Sequence, residues 1–329
     1  MNMKILVTGS EGTLGKPLVS EILSRGHSVM GADLAHTSKD NFTRCDVRNY
    51  RQLENVFETF RPDVVYALAA EFGRASGEGW YEQLYSTNQV GTQHTIELCL
   101  KYNAKFILSG SSEAYGDSFI PFKEGEALNS VIIENDGLLR EEDLSKVNYY
   151  NNQYSSSKYL QEIQTYIAVR NRGLKAVVCR FFNAYGPGEI YTPYRSVVSL
   201  FCYRLLHDMP ITVYRNYHRV FQYISDFTPT LMNVAERFET LPAVHDTVPI
   251  VNIGGSEYRS VEELVEIIKK EIPETKSIIT VLDEEKANVQ NKRPSIEIAK
   301  KYLDHNPVVT LEDGVKATVA WMREYYGVV

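Results

Sequence analysis

The segment NNQYSSSKYLQE places Tyr154 and Lys158 four residues apart, on one face of a helix. A tyrosine phenol ordinarily titrates near about 10. A neighbouring ammonium, or the cationic ring of an oxidised cofactor, lowers that value. A phenol so placed can take a proton from a hydroxyl group while hydride leaves the same carbon. With 22 tyrosines in the chain, about one Tyr-x-x-x-Lys pair is expected by chance, so its surroundings carry the weight. A second set of polar groups ends the apolar run FILSG: Ser109, Ser111, Ser112 and Glu113. Ser111 can hydrogen-bond the hydroxyl that Tyr154 deprotonates. Glu113 is either a loop carboxylate that accepts backbone N–H groups or a group that works on the substrate.

A third constellation opens the chain. In VTGSEGTLGKPL, Gly9, Gly12 and Gly15, with Thr13 and Leu14 between them, join a short apolar run to a helical pattern. Glycines there let the backbone approach a pyrophosphate, which then rests on the helix N-terminus. Asp33 ends the next apolar run. A carboxylate at that point accepts the ribose hydroxyls of NAD and repels the extra phosphate of NADP; the alternative is a turn residue. Asp46 and Val47, in RCDV, are placed to meet the adenine. Leu68, Ala69 and Ala70 end a third apolar run in small side chains suited to line the bridge of the cofactor.

These groups need elements to hold them. Short, continuously apolar runs at 4–9, 27–33, 63–70, 104–110 and 175–182 alternate with helical patterns at 14–26, 47–60, 81–102 and 152–172. That rhythm predicts α/β architecture: a doubly wound, Rossmann-type parallel sheet covered on both faces. After residue 182 the rhythm changes. Helical spacing recurs at 194–208, 226–238, 261–272 and 315–326, with a short strand at 211–214 and another at 248–255 that can return to the sheet. The expected division is a cofactor domain of 1–182, joined by about 217–255, and a smaller interleaved substrate lobe of 183–216 and 256–329.

The 329 residues suffice for a full core, and 43% hydrophobic with 23% charged residues is an ordinary globular composition. A net charge of −7 argues against nucleic acid or an anionic membrane as partner. No window approaches the roughly 18 apolar residues of a membrane span, and the N-terminus reads as a strand and glycine turn, so a cytoplasmic protein is expected. Cys45, Cys99, Cys179 and Cys202 form no paired motif and read as buried thiols, with no metal site expected.

Taken together, the glycine pattern, the Ser before Tyr115-Gly116, the Tyr-x-x-x-Lys pair and RFFNAYGPG (180–188) resemble the extended short-chain dehydrogenase/reductases, and within them the nucleotide-sugar epimerases and dehydratases. DVVYALAA, TNQVGT (87–92), HRVFQYISDF (218–227), NIGG (252–255) and KRPSIEIAKKYL (292–303) fit the same resemblance in the same order. It implies NAD as cofactor, a nucleotide-diphosphate sugar as substrate, and dimers built on the long helices. It also implies Ser111 as the catalytic hydroxyl, Tyr154 as the base and Lys158 on the nicotinamide ribose. Asn88 matches an Asn near the site, Asn183 a residue that meets the nucleotide diphosphate, and Arg219 and Arg293 the arginines that grip it. Glu113 matches the acid of 4,6-dehydratases and of related decarboxylases, which many 4-epimerases lack. Ser112 stands where the dTDP-glucose dehydratases have Asp. Arg74 and Glu78, and Tyr191, Tyr194 and Arg195, lie in two segments without a match, where Arg74 and Arg195 are candidates for defining the substrate.

The leading expectation is transient oxidation at carbon 4 of a nucleotide sugar, 4,6-dehydratase-like, with 4-epimerisation or 4-dehydrogenation as alternatives. A non-catalytic NAD sensor of the same fold is the competing class. Such proteins usually lose the Tyr or the Lys, and this chain keeps both.

Overall fold

The computed structural model describes residues 2–73, 79–115, 152–243, 248–285, 288 and 290–328; Arg74 and Glu78 lie outside them. A seven-stranded, wholly parallel sheet forms the centre. Its strands are β1 (Lys4–Thr8), β2 (Ser28–Asp33), β3 (Phe42–Arg44), β4 (Val64–Ala67), β5 (Lys105–Ser111), β6 (Ala176–Phe181) and β11 (Ile250–Ile253). They lie in the order β11-β6-β5-β4-β1-β2-β3. The order reverses between β1 and β4, where the carboxyl ends of the strands leave a crevice for ligand.

Apart from β3, the strands are largely apolar on both sides because each face is covered. Ile5, Val7, Val64, Tyr66, Ile107, Val177 and Cys179 point to one face. There they meet α1 (Gly15–Ser24), α7 (Ile224–Glu236) and α9 (Glu297–Leu303). Their neighbours Leu6, Val65, Phe106, Leu108 and Val178 point to the other. That face packs on α2 (Tyr50–Phe60), α4 (Thr92–Tyr102) and α5 (Gln153–Arg172). Burying each such Leu, Ile, Val or Phe is worth roughly 1.5–3 kcal/mol. All four cysteines are buried and free.

A third core gathers α6 (Val197–Leu206), α8 (Val261–Glu271) and α10 (Leu311–Tyr326) around β8 (Ile211–Tyr214). The run at 248–255 does return to the sheet, pairing β11 with β6 in parallel. Elements without a counterpart in the sequence reading are β3, α9, β13 (Ile279–Leu282) beside β8, and two small pairs. The pairs are β7 (Ala184–Tyr185) with β10 (Gln222–Tyr223), and β9 (His218–Val220) with β12 (Tyr258–Ser260).

Caps fix the helix that carries the Tyr–Lys pair. The Asn152 side chain accepts the Ser155 N–H at 2.8 Å, and Gly173 ends α5 in the left-handed region at φ 73°. The helix expected over 81–102 is continuous, running from α3 (Tyr81–Tyr85) through a wide π-helical turn at Ser86–Gly91 into α4. The wide turn carries Asn88, which is fully buried. No helix among the described residues is long and apolar enough to cross a membrane.

Candidate active site

The glycine turn leaves no room for side chains. A Cβ on Gly15 would sit 2.2 Å from the Gly9 carbonyl oxygen, and one on Gly9, at φ 71°, would sit 2.8 Å from the Ala69 nitrogen. The N-terminus of α1 has no side-chain cap, and it faces the groove through Gly15. Asp33 is held at the end of β2 by the N–H groups of Glu11 (2.9 Å) and Ala35 (3.1 Å). Asp46 is gripped by Arg48, which holds its carboxyl below the usual range, first through the side-chain hydrogen bond. Asp33, Asp46, Val47 and Ala69 line a groove of about 220 Å³. It shares Gly9, Gly12, Leu68 and Ala70 with a second cavity of about 310 Å³, so the two run together across the turn. A cradle shaped for backbone approach at a helix N-terminus and a carboxylate at the ribose end fit an adenine dinucleotide.

The larger cavity also holds Thr13, Leu14, Ser109, Ser111, Ser112, Glu113, Tyr154 and Lys158. Strand β5 delivers the serines, the first turn of α5 delivers Tyr154, and the next turn Lys158. Ser109 Oγ is anchored on the Ala67 carbonyl at 2.8 Å. Ser111 hydrogen-bonds Tyr154 and accepts the Glu113 N–H at 3.2 Å. Burial pushes the Tyr154 phenol up to about 12; Ser111 pulls it down and the Glu113 charge pushes it further up. The lowered phenol expected from Lys158 is therefore not met in the protein's own field, because burial dominates. Lys158 is itself brought down to about 8 by burial, against the pull of Glu162 one turn on. Glu162 and Arg180 form a fully buried bidentate pair at 3.0 and 2.7 Å.

The model of the NAD dependent epimerase/dehydratase family matches residues 5–254. The chain belongs to this family. It is an NAD-dependent enzyme of the nucleotide-sugar epimerase/dehydratase kind, and NAD is its cofactor. The UDP-N-acetyl-alpha-D-glucosaminuronate decarboxylase of Bacillus cytotoxicus is 27% identical over 98% of this chain and 99% of that protein. The UDP-glucuronate 4-epimerase of Thermodesulfobacterium geofontis is 27% identical over 97% of this chain and 96% of its own. The fold matches the structure of UDP-glucose 4-epimerase from Thermotoga maritima with a TM-score of 0.81 at 24% identity, covering 98% and 100% of the two chains.

Within this epimerase/dehydratase chain, the substrate-side residues divide. Asn183, in the left-handed region at φ 42°, donates its Nδ2 to the Val220 carbonyl at 2.9 Å and lines the cavity. Tyr194 and Arg195 line it too, with the Arg195 guanidinium 4.5 Å over the Phe72 ring. Tyr191 does not. It stacks on Tyr203 at 3.7 Å between centroids, and its N–H donates to Tyr326 Oη at 2.8 Å. Asn88 is not in the wall either; its amide holds both the N–H and the carbonyl of Glu71 and donates to Ser157 Oγ. Arg219 is buried, donating to the carbonyls of His218 and Gln290, and it feels the charge of Glu113. Arg293 is exposed and lies over the Tyr258 ring at 5.5 Å.

The cation of this segment that enters the cavity is its neighbour Lys292, buried and ion-paired with Glu113. The sequence pattern marked the segment through Arg293, and the structure puts Lys292 in the cavity wall. Glu189 is another unforeseen wall residue, a buried carboxylate that accepts the N–H (3.1 Å) and Oγ (2.7 Å) of Ser196. Desolvation raises its pKa. No signal in the sequence singles out a lone glutamate after Gly188.

Asp33→Ala should weaken NAD by roughly 1–3 kcal/mol, the scale of a lost charged hydrogen bond. It should weaken NADP less. Equilibrium binding of both nucleotides to the purified variant checks this, and an equal loss for the two would overturn the assignment of Asp33.

Proposed function

We propose that this chain acts on a UDP-linked uronic acid, supporting oxidation at sugar carbon 4 and then loss of the carboxyl group as CO2. The observation that carries this reading is the Glu113–Lys292 pair, which faces the same cavity as Ser111 and Tyr154. NAD, held by the glycine turn, Asp33 and Lys158, supplies reversible hydride acceptance when bound. Tyr154 takes the proton of the carbon-4 hydroxyl and Ser111 holds that oxygen in place.

A sugar oxidised at carbon 4 and carrying a carboxyl on carbon 5 is a β-keto acid. The bond between carbons 5 and 6 breaks, its electrons pass to the carbon-4 oxygen, and carbon 5 then needs a proton. Lys292, charge-matched by Glu113, holds one beside it.

The 4,6-dehydratase expectation asks more of this site. Removing the carbon-6 hydroxyl calls for a carboxylate open to the carbon-5 proton and an acid for the leaving oxygen. Here Glu113 Oε1 is engaged by Lys292, and Ser112 stands where the acid would. The named activities of the curated relatives also favour uronates: UDP-glucuronic acid decarboxylase 1 of Danio rerio is 28% identical over 97% of this chain.

The test is incubation with UDP-glucuronate and UDP-N-acetylglucosaminuronate labelled with carbon-13 at carbon 6. Labelled CO2 and a pentose product by NMR are expected. A 4-epimer with the label retained would replace this reading by epimerisation, and a 6-deoxy-4-keto product from UDP-glucose would restore the dehydratase.

A further inference from the structure

Asn252, fully buried on β11, touches neither groove, yet it connects the two segments that carry Glu113 and Lys292. Its Oδ1 accepts the Tyr115 hydroxyl at 2.9 Å, two residues beyond Glu113. Its Nδ2 donates to the Ser295 carbonyl at 3.1 Å, three residues beyond Lys292. Glu113 and Lys292 lie 179 residues apart in sequence. One lies on a short turn after β5 and the other in the segment before α9. The Tyr115 end is braced by the Arg180 guanidinium, 4.4 Å from the ring, and Arg180 is fixed in turn by Glu162 on α5, one turn after Lys158.

We propose that Asn252 is a positioning residue: by holding Tyr115 and Ser295 at once, it sets where the Glu113–Lys292 pair stands relative to Ser111 and Tyr154. An amide suits this task, because one side chain supplies an acceptor in one direction and a donor in the other. A buried amide that satisfies both partners permits one arrangement and leaves the alternatives with orphaned polar groups. The inference rests on the reading of Glu113 and Lys292 as the groups that act at carbons 5 and 6.

The test is a cycle of Asn252→Ala and Glu113→Gln, followed by turnover of the labelled uronate. Asn252→Ala alone should lower kcat by roughly 10–100-fold, the scale of a misplaced catalytic group, with KM and NAD content little changed. In the Glu113→Gln background it should cost clearly less, because the pair it places is already broken and only the placing of Lys292 is left to lose. Tyr115→Phe removes only one of the two links and should give a smaller loss of the same kind, which keeps the test open should Asn252→Ala fail to fold. An Asn252→Ala effect that multiplies unchanged onto Glu113→Gln, or a Tyr115→Phe enzyme with wild-type kcat, overturns the proposal. If Glu113→Gln itself leaves CO2 release intact, the underlying reading of the pair fails instead, and the two failures are distinct.

Discussion

Tyr154→Phe should lower turnover by roughly 10²–10⁴-fold, the usual worth of a positioned general base, while nucleotide-sugar affinity stays close to wild type. The ring keeps its packing in the wall of the cavity and only the ionisable oxygen is lost. The size of the effect follows from the field around it. Burial holds the phenol at about 12, so without help it keeps its proton at neutral pH. The positive nicotinamide ring of bound NAD is the available source of a lowering charge beyond Lys158. The wild-type-minus-Phe difference in phenolate absorbance should therefore titrate near about 12 in protein stripped of cofactor and move to lower pH when NAD is added. Turnover within a few-fold of wild type would remove Tyr154 from the base position.

Glu162→Gln should cost roughly 3–5 kcal/mol of stability, read as a fall in the urea midpoint at unchanged slope. The amide is nearly isosteric and can still accept from Arg180, but it leaves a guanidinium buried at 0% exposure without a counter-charge. The same change removes the carboxylate that favours the charged form of Lys158. That ammonium should then lose its proton below about 8. A loss of less than about 1 kcal/mol would mean that Arg180 is neutralised by another group.

The sheet was legible because its strands are buried on both faces and so read as continuous apolar runs. The cofactor turn was legible because close backbone approach admits only glycine at positions 9 and 15. What stayed hidden depended on tertiary partners. Strand β3 is three residues in a polar stretch and exists through its pairing with β2. Strand β13 carries the apolar run ITVL yet is largely exposed, and its place is fixed by its pairing with β8. Lys292 and Arg293 are adjacent cations, and only the register of an irregular segment decides which faces the cavity. Glu162 shares a helical face with Lys158, but nothing in the sequence says that Arg180 lies opposite. Asn252 is one amide among many until its two partners are seen.

The hydrogen bond between the Tyr191 N–H and Tyr326 Oη has a consequence for the order in which the molecule assembles. It fastens the wall that carries Tyr194 and Arg195 to the last turn of α10, across 135 residues of chain. Closing a loop of that length from an open chain costs roughly 4 kcal/mol of entropy before any contact repays it. The glycine turn, by contrast, is closed by the Gly9 N–H on the Ala32 carbonyl at 2.8 Å, a nearby partner in the chain. Local closures precede distant ones when topology sets the pace. A refolding chain is therefore expected to close the glycine turn before it fastens the wall that carries Tyr194 and Arg195.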